Sequence, residues 1–119
     1  MIPLEQAELA LRTGKMDEDI CEIYSCTSGS EQLSVYKSRF LHVIEGYRAV
    51  FGRNDEIALF SAPGRTELGG NHTDHQHGRV LAGSVNVDML AAAAENGSSM
   101  VNVKSEGYDM FTVDLNCLE

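Results

Sequence analysis

Positive charge is scarce in this chain. Nine lysines and arginines stand against 18 aspartates and glutamates in 119 residues, a formal net charge of −9. Gripping nucleic acid by its phosphates needs clustered cations, and those present are scattered, so nucleic acid is not an expected partner. The acidic excess serves solubility instead. Long apolar runs are also missing: none approaches the roughly 20 residues that cross a bilayer. The opening Met1-Ile2-Pro3-Leu4-Glu5-Gln6-Ala7-Glu8 has no basic stretch leading into an apolar one. Neither a membrane span nor a signal peptide is expected, and a cytoplasmic location is the default. Cys21, Cys26 and Cys117 form no C-x-x-C pair and leave one over, which suits inert, reduced packing thiols better than a disulfide framework. No internal repeat or low-complexity segment is present.

What remains is 43% hydrophobic and 23% charged, the balance of a soluble globular protein. The length is about that of one domain, with little core to spare. Leu4, Ala7, Leu9 and Leu11 sit among good helix formers, and Gly14 is placed to end their helix. Asp17 opens a second run with Ile20, Ile23 and Tyr24 on one face. Thr27-Ser28-Gly29-Ser30 has loop chemistry, and Ser30 is placed to cap a third helix. In that helix Phe40, Val43, Ile44, Tyr47, Val50 and Phe51 recur at helical spacing up to Gly52, a stripe that belongs in a core.

From Glu56 the period changes. Ile57-Ala58-Leu59-Phe60 reads as a short buried strand ended by Pro63-Gly64. Ser84 to Met89 alternates with period two. The alanine-rich Leu90 to Glu95 favours helix by propensity, but the alternation before it and Asn96-Gly97 after it favour a strand ending in a hairpin turn. Met100–Ser105 and Met110–Asp114 are placed to pair across Glu106–Asp109. The expected fold class is α+β, N-terminal helices followed by an antiparallel-rich mixed sheet. The chain stops as that sheet is being completed, which reads as truncation.

Between these elements lies Ser61-Ala62-Pro63-Gly64-Arg65-Thr66-Glu67-Leu68-Gly69-Gly70-Asn71-His72-Thr73-Asp74-His75-Gln76-His77-Gly78. Its glycines let backbone approach a ligand closely. Arg65 carries a rigid fork of donors for anionic oxygens, or for a hydroxyl about to become one. Asp74 can accept from two neighbouring hydroxyls of a pyranose, and Asn71 and His72 can each donate or accept. Such a set tells sugar epimers apart, because a misplaced hydroxyl strands a buried polar group at a cost of about 1–3 kcal/mol. Two other readings stay open on composition alone. One is a polar surface turn with no ligand. The other is a metal site, since His72, Asp74, His75 and His77 offer four donors within six residues, although not at the H-E-x-x-H spacing of helical zinc sites.

The same stretch resembles the galactose-binding signature of the galactokinases, members of the GHMP sugar and metabolite kinases. Their pattern is close to A-P-G-R-V-N-L-I-G-E-H-T-D-Y-N-x-G, shortly after a helix ending in F-G. Here Phe51-Gly52 precedes Ala62-Pro63-Gly64-Arg65 and the run to Gly78, and the likeness extends over roughly residues 40–119. The resemblance implies the N-terminal part of a GHMP kinase fold, which is ribosomal protein S5 domain 2-like. It divides the chain into a helical N-terminal extension, 1–39, and a sugar-binding portion, 40–119. It implies that Arg65 lies near the anomeric hydroxyl and stabilises charge during phosphoryl transfer. It further implies that Asn71, His72 and Asp74 contact sugar hydroxyls, with Asp74 the main anchor, and that no metal is held here.

The chain departs from the pattern at several places. The family glutamate before the histidine is Asn71, N-L-I-G becomes Glu67-Leu68-Gly69-Gly70, and the tyrosine after the aspartate is His75. Loss of the glutamate's charge puts strict galactose specificity in doubt and makes a related hexose, a deoxy sugar or a uronic acid acceptable. The family's phosphate loop, resembling P-x-x-x-G-L-S-S-S-A, has no counterpart in this sequence, nor is there a Walker-type loop. Asn96-Gly97-Ser98-Ser99 is only superficially similar. ATP and Mg²⁺ therefore belong to the intact enzyme, and the chain alone is expected to be inactive. A sugar is the expected small-molecule partner, with self-association through an open sheet edge or the N-terminal helices. The alternatives are a non-catalytic sugar sensor derived from a kinase and, further off, a metal-dependent hydrolase.

Overall fold

The computed structural model describes residues 1–52, 56–70 and 77–117. Three helices lead: α1 (Leu4–Thr13), α2 (Asp17–Tyr24) and α3 (Glu31–Phe51). A two-residue strand, β1 (Ile2–Pro3), precedes them, and β2 (Glu56–Gly69), β3 (Leu81–Ala93), β4 (Met100–Val103) and β5 (Phe111–Asp114) follow. The sheet order is β1-β2-β3, with β4-β5 as a separate two-stranded unit. All three pairings are antiparallel, so among the described residues the sheet is not mixed as expected. The α+β class holds.

Local chemistry sets the helix ends. Gly14 and Gly52 take left-handed conformations, φ 81° and 62°, and close α1 and α3, which a Cβ would oppose. The Ser30 hydroxyl accepts the amide proton of Leu33 at 3.2 Å at the start of α3. α3 then runs 21 residues without interruption and crosses the expected boundary between residues 39 and 40. Its Leu33, Phe40 and Ile44 pack in one cluster with Leu4, Ala7 and Leu11 of α1, Ile20 of α2 and Ile57 of β2. Helices and sheet therefore share a core.

That core is narrower than the apolar stripes suggest. Leu9, Ile23 and Val50 are exposed, since each helix is covered on one side only. Polar ties add to it: Arg48 of α3 meets Glu8 of α1 at 2.6 Å, and Lys37 of α3 meets Asp17 of α2 at 2.7 Å. The Arg48 and Arg12 guanidiniums hold the Glu8 carboxyl below its usual range. The molecule exposes 8828 Å², against about 6,300 Å² for a compact 13.0 kDa monomer. Much of the excess is the outward face of the β2–β3 ribbon, where Phe60, Leu68, Leu81, Val87 and Met89 are exposed.

Two turns differ from expectation. Pro63-Gly64 does not end β2; the strand bulges there and continues to Gly69. Asn96-Gly97 does turn, with Asn96 Oδ1 accepting from the Ser98 amide and hydroxyl at 3.0 Å. It makes no hairpin, however, because β3 pairs with β2 and β4 pairs with β5. The Leu90–Ala93 segment is strand, as the alternation predicts.

Ser30→Ala removes the α3 cap and is expected to cost about 1 kcal/mol. A urea midpoint equal to that of the parent chain would show that the cap contributes nothing.

Candidate functional site

β2 and β3 carry the signature stretch on a ladder with two irregularities. Ser61 pairs with Leu90 and Pro63 with Asp88, then the register jumps so that Gly64 faces Val85 and Arg65 faces Ser84. Asn86 and Val87 are the surplus residues on β3, and they crowd the partner strand. A Cβ on Gly64 would lie 2.9 Å from Val85 Cγ2 and 3.1 Å from the Val87 carbonyl oxygen, so glycine is what permits the bulge. A second shift falls between Glu67 and Gly69, after which Gly69 pairs with Leu81. Gly70, at φ 87°, closes the neck: a Cβ there would meet the Arg79 carbonyl oxygen at 2.2 Å. The connection from Gly70 to Val80 is thus pinched by backbone that only glycine allows.

Arg65 sits on β2, not in a turn as the glycine pattern suggests. Its side chain is 68% exposed, and the nearest anion among the described residues is Glu67, 3.8 Å away, too far for a hydrogen bond. Glu67 Oε1 is buried and has no hydrogen-bond partner among the described residues. The guanidinium is therefore presented near the neck of the connection, and among the described residues no acceptor lies within hydrogen-bond distance of it. Asn71, His72 and Asp74 lie outside the described residues, as do the metal-donor candidate His75 and its neighbours up to Gln76. Of the expected sugar contacts, the structure describes Arg65 alone. Among the described residues, no group of three metal-binding side chains comes together, and no helix is long and apolar enough to cross a membrane.

Sequence reasoning missed the polar centre that holds this ladder to the helices. Asp88 of β3, whose carboxylate is 8% exposed, meets Arg39 Nη2 of α3 at 2.6 Å. Its other oxygen accepts from the Ser61 hydroxyl at 2.7 Å and from the Tyr24 hydroxyl at the end of α2. The Tyr24 ring stacks on Tyr36, centroids 4.0 Å apart. Burial works to raise the Asp88 carboxyl, but hydrogen bonds from Tyr24, Ser61 and Arg39 outweigh it and leave the group below its ordinary range. Burial, and then the hydrogen bond to Asp88, push the Tyr24 hydroxyl up. The one available signal was an aspartate amid the apolar alternation Val85-Asn86-Val87-Asp88-Met89. Beside this cluster is a cleft of about 500 Å³ lined by Ile23, Tyr24, Pro63, Ser84 and Asn86 among others.

β2 thus carries Arg65 near a glycine-pinched neck, on a ladder whose other end packs against the helices. The comparisons show a kinship over part of the chain. The model of the galactokinase galactose-binding signature matches residues 45–95, and over this stretch the chain is related to the galactokinases. It is 34% identical to a galactokinase of Candida parapsilosis over 86 residues, 69% of this chain and 17% of the relative. It is also 34% identical to a galactokinase of Bacillus subtilis over 62 residues, 52% of this chain and 16% of the relative. The chain thus spans about a sixth of the length of these relatives. No solved structure matches it.

The Asp88 centre predicts an acid limb. A carboxyl held low in the folded state contributes stability that is fully present above its unfolded value, about 3.9, and is lost as pH falls through the folded value. Urea unfolding should therefore be level from neutrality to about pH 4 and weaken below. Asp88→Asn should lower stability at neutral pH by about 2 kcal/mol, since Arg39 loses its partner, and should flatten part of that acid decline. An unchanged pH profile in this variant would assign the acid limb elsewhere. Gly70→Ala should cost about 1–3 kcal/mol from backbone strain and clash, read in the same urea series.

Proposed function

We propose that this chain is the sugar-recognising portion of an ATP-dependent, galactokinase-like sugar 1-kinase, which moves a phosphoryl group from ATP to the anomeric hydroxyl of galactose or a related sugar. The observation that carries this reading is the signature match over residues 45–95, a window that includes Arg65, Asn71, His72 and Asp74. Kinship with the wider GHMP fold is part of the same proposal.

Arg65, exposed on β2 near the neck, lies beside the anomeric oxygen and stabilises the charge that develops there. A preorganised cation in a site that excludes water acts where charge forms. Asp74 accepts from two sugar hydroxyls, and His72 and Asn71 hydrogen-bond others. Asn71 supplies a neutral amide where the family pattern has glutamate. It can still bind a hydroxyl, and it does not repel a carboxylate, so a uronic acid is tolerated. With Mg²⁺, ATP supplies the phosphoryl group in the intact enzyme. This sequence contains no phosphate loop for it, and no residue of the chain is assigned to that task. The chain alone is therefore without kinase activity. A second copy is the proposed macromolecular partner, meeting this one through the outer edge of β3, which is unpaired among the described residues, or through the N-terminal helices.

Calorimetry with galactose, glucose and galacturonate tests the sugar assignment. Galactose binding should be lost in Asp74→Ala, and Asn71→Glu should weaken galacturonate relative to galactose by about tenfold, the equivalent of one hydrogen-bonding group. Undiminished galactose binding by Asp74→Ala would overturn the assignment. ADP release above a no-enzyme control, with galactose as acceptor, would overturn the inactivity of the isolated chain.

A further inference from the structure

The cysteines were expected to be unrelated packing thiols, and the structure brings two of them into contact. Cys21 lies in the last turn of α2 and Cys26 just beyond it, and their sulfurs are 3.1 Å apart. Spacing alone hides this, because an i, i+5 pair on a continuous helix would diverge. The chain reverses at Ser25, which adopts a left-handed conformation, φ 52° and ψ 39°. The amides of Ser25 and Cys26 both donate to the Cys21 carbonyl, the latter at 3.2 Å. A helix ending this way sets the residue after the turn against the one five positions earlier. Here both of those residues are thiols.

We propose that Cys21 and Cys26 are a reversible dithiol–disulfide pair, oxidised by a low-molecular-weight disulfide such as glutathione disulfide. The sulfurs need to close by about 1 Å to reach the 2.05 Å of a disulfide, and the hydrogen-bonded cap already holds them on one side of the turn. Both side chains are partly exposed, which gives a small disulfide access. The Cys26 sulfur, followed by burial, pushes the Cys21 thiol up to about 11; Cys26, beyond the end of α2, is the first nucleophile in this proposal. The Cys26 thiolate bonds to one sulfur of glutathione disulfide, whose S–S bond breaks, and a glutathione thiolate leaves. The Cys21 thiolate then attacks the Cys26 sulfur and expels the second glutathione thiolate. Two electrons pass from the protein to glutathione, and the two cysteine protons end on the two glutathiones or in solvent.

The exchange bears on the rest of the molecule through Tyr24. This residue lies between the two cysteines in sequence and hydrogen-bonds the Asp88 carboxylate on β3. A bond across the cap therefore stiffens the turn beside Tyr24, the residue that anchors α2 to the ladder.

The test uses the 119-residue chain with Cys117→Ser, so that only the pair remains. The reduced protein is equilibrated with graded glutathione disulfide and glutathione, quenched in acid, capped with N-ethylmaleimide in denaturant and weighed. The expected product takes up no maleimide and is lighter than the dithiol by two hydrogens. In native buffer it should form at a glutathione disulfide level at least about tenfold lower than in urea, because the folded cap supplies the effective concentration. Cys21→Ser and Cys26→Ser should each stop at the mixed disulfide. A native chain that keeps two maleimide-reactive thiols, or accumulates only glutathione adducts, overturns the proposal. So does oxidation equally easy in urea, which would leave the sulfur contact as ordinary packing at a helix end.

Discussion

One carboxylate, Asp88, carries the connection between helices and ladder that the rest of the structure depends on. The hydrophobic cluster joins α1, α2, α3 and the first part of β2 around Ile44 and Ile57, but it stops short of the bulge. Beyond Leu59 and Leu90 the ladder is held to the helices by Arg39, Tyr24 and Ser61 converging on Asp88. A charge this deeply covered is stabilising only when it is fully paired, and here both oxygens have partners. Its position opposite Pro63 puts the tie immediately before the bulge that resets the register for Arg65.

Backbone governs the remainder of the site. Gly64 admits the surplus residues of β3 against β2, and Gly70 admits the Arg79 carbonyl at the neck. Neither glycine touches a ligand in order to matter. They decide where Arg65 and the Gly70–Arg79 neck stand, so a strand pair holds them in place without a large core behind it. The galactose-binding signature over residues 45–95 thus begins within α3 and ends past β3, taking in the supporting helix as well as the polar residues.

Local features of the sequence were legible because their causes are local. Gly14, Gly52 and Ser30 act within one turn of the helix that each ends or begins, and the Leu90–Ala93 strand follows from its own alternation. The misreadings share a different cause. Pro63-Gly64 reads as a terminator until β3 supplies two extra residues that convert it to a bulge, and Asn96-Gly97 reads as a hairpin until the flanking strands choose other partners. Ile23 and Leu9 carry helical periodicity yet face outward, because no second layer covers them. Tyr24 and Asp88 are 64 positions apart, and no pattern within either segment foretells their meeting. Of the candidate site, the residue types were readable, but the glycine pattern put Arg65 in a turn and it stands on β2; Asn71, His72 and Asp74 fall outside the described residues.

The uncovered outer face of β2 and β3 sets the colloidal behaviour of the molecule. Phe60, Leu68, Leu81, Val87 and Met89 form an oily ribbon, and mutual repulsion from a charge of −9 opposes the approach of neighbouring molecules along it. That repulsion weakens as the Debye length shrinks from about 30 Å at 0.01 M salt to about 3 Å at 1 M, while the attraction between greasy faces does not. Dilute, low-salt solutions should therefore stay clear, and turbidity should grow as electrolyte is added.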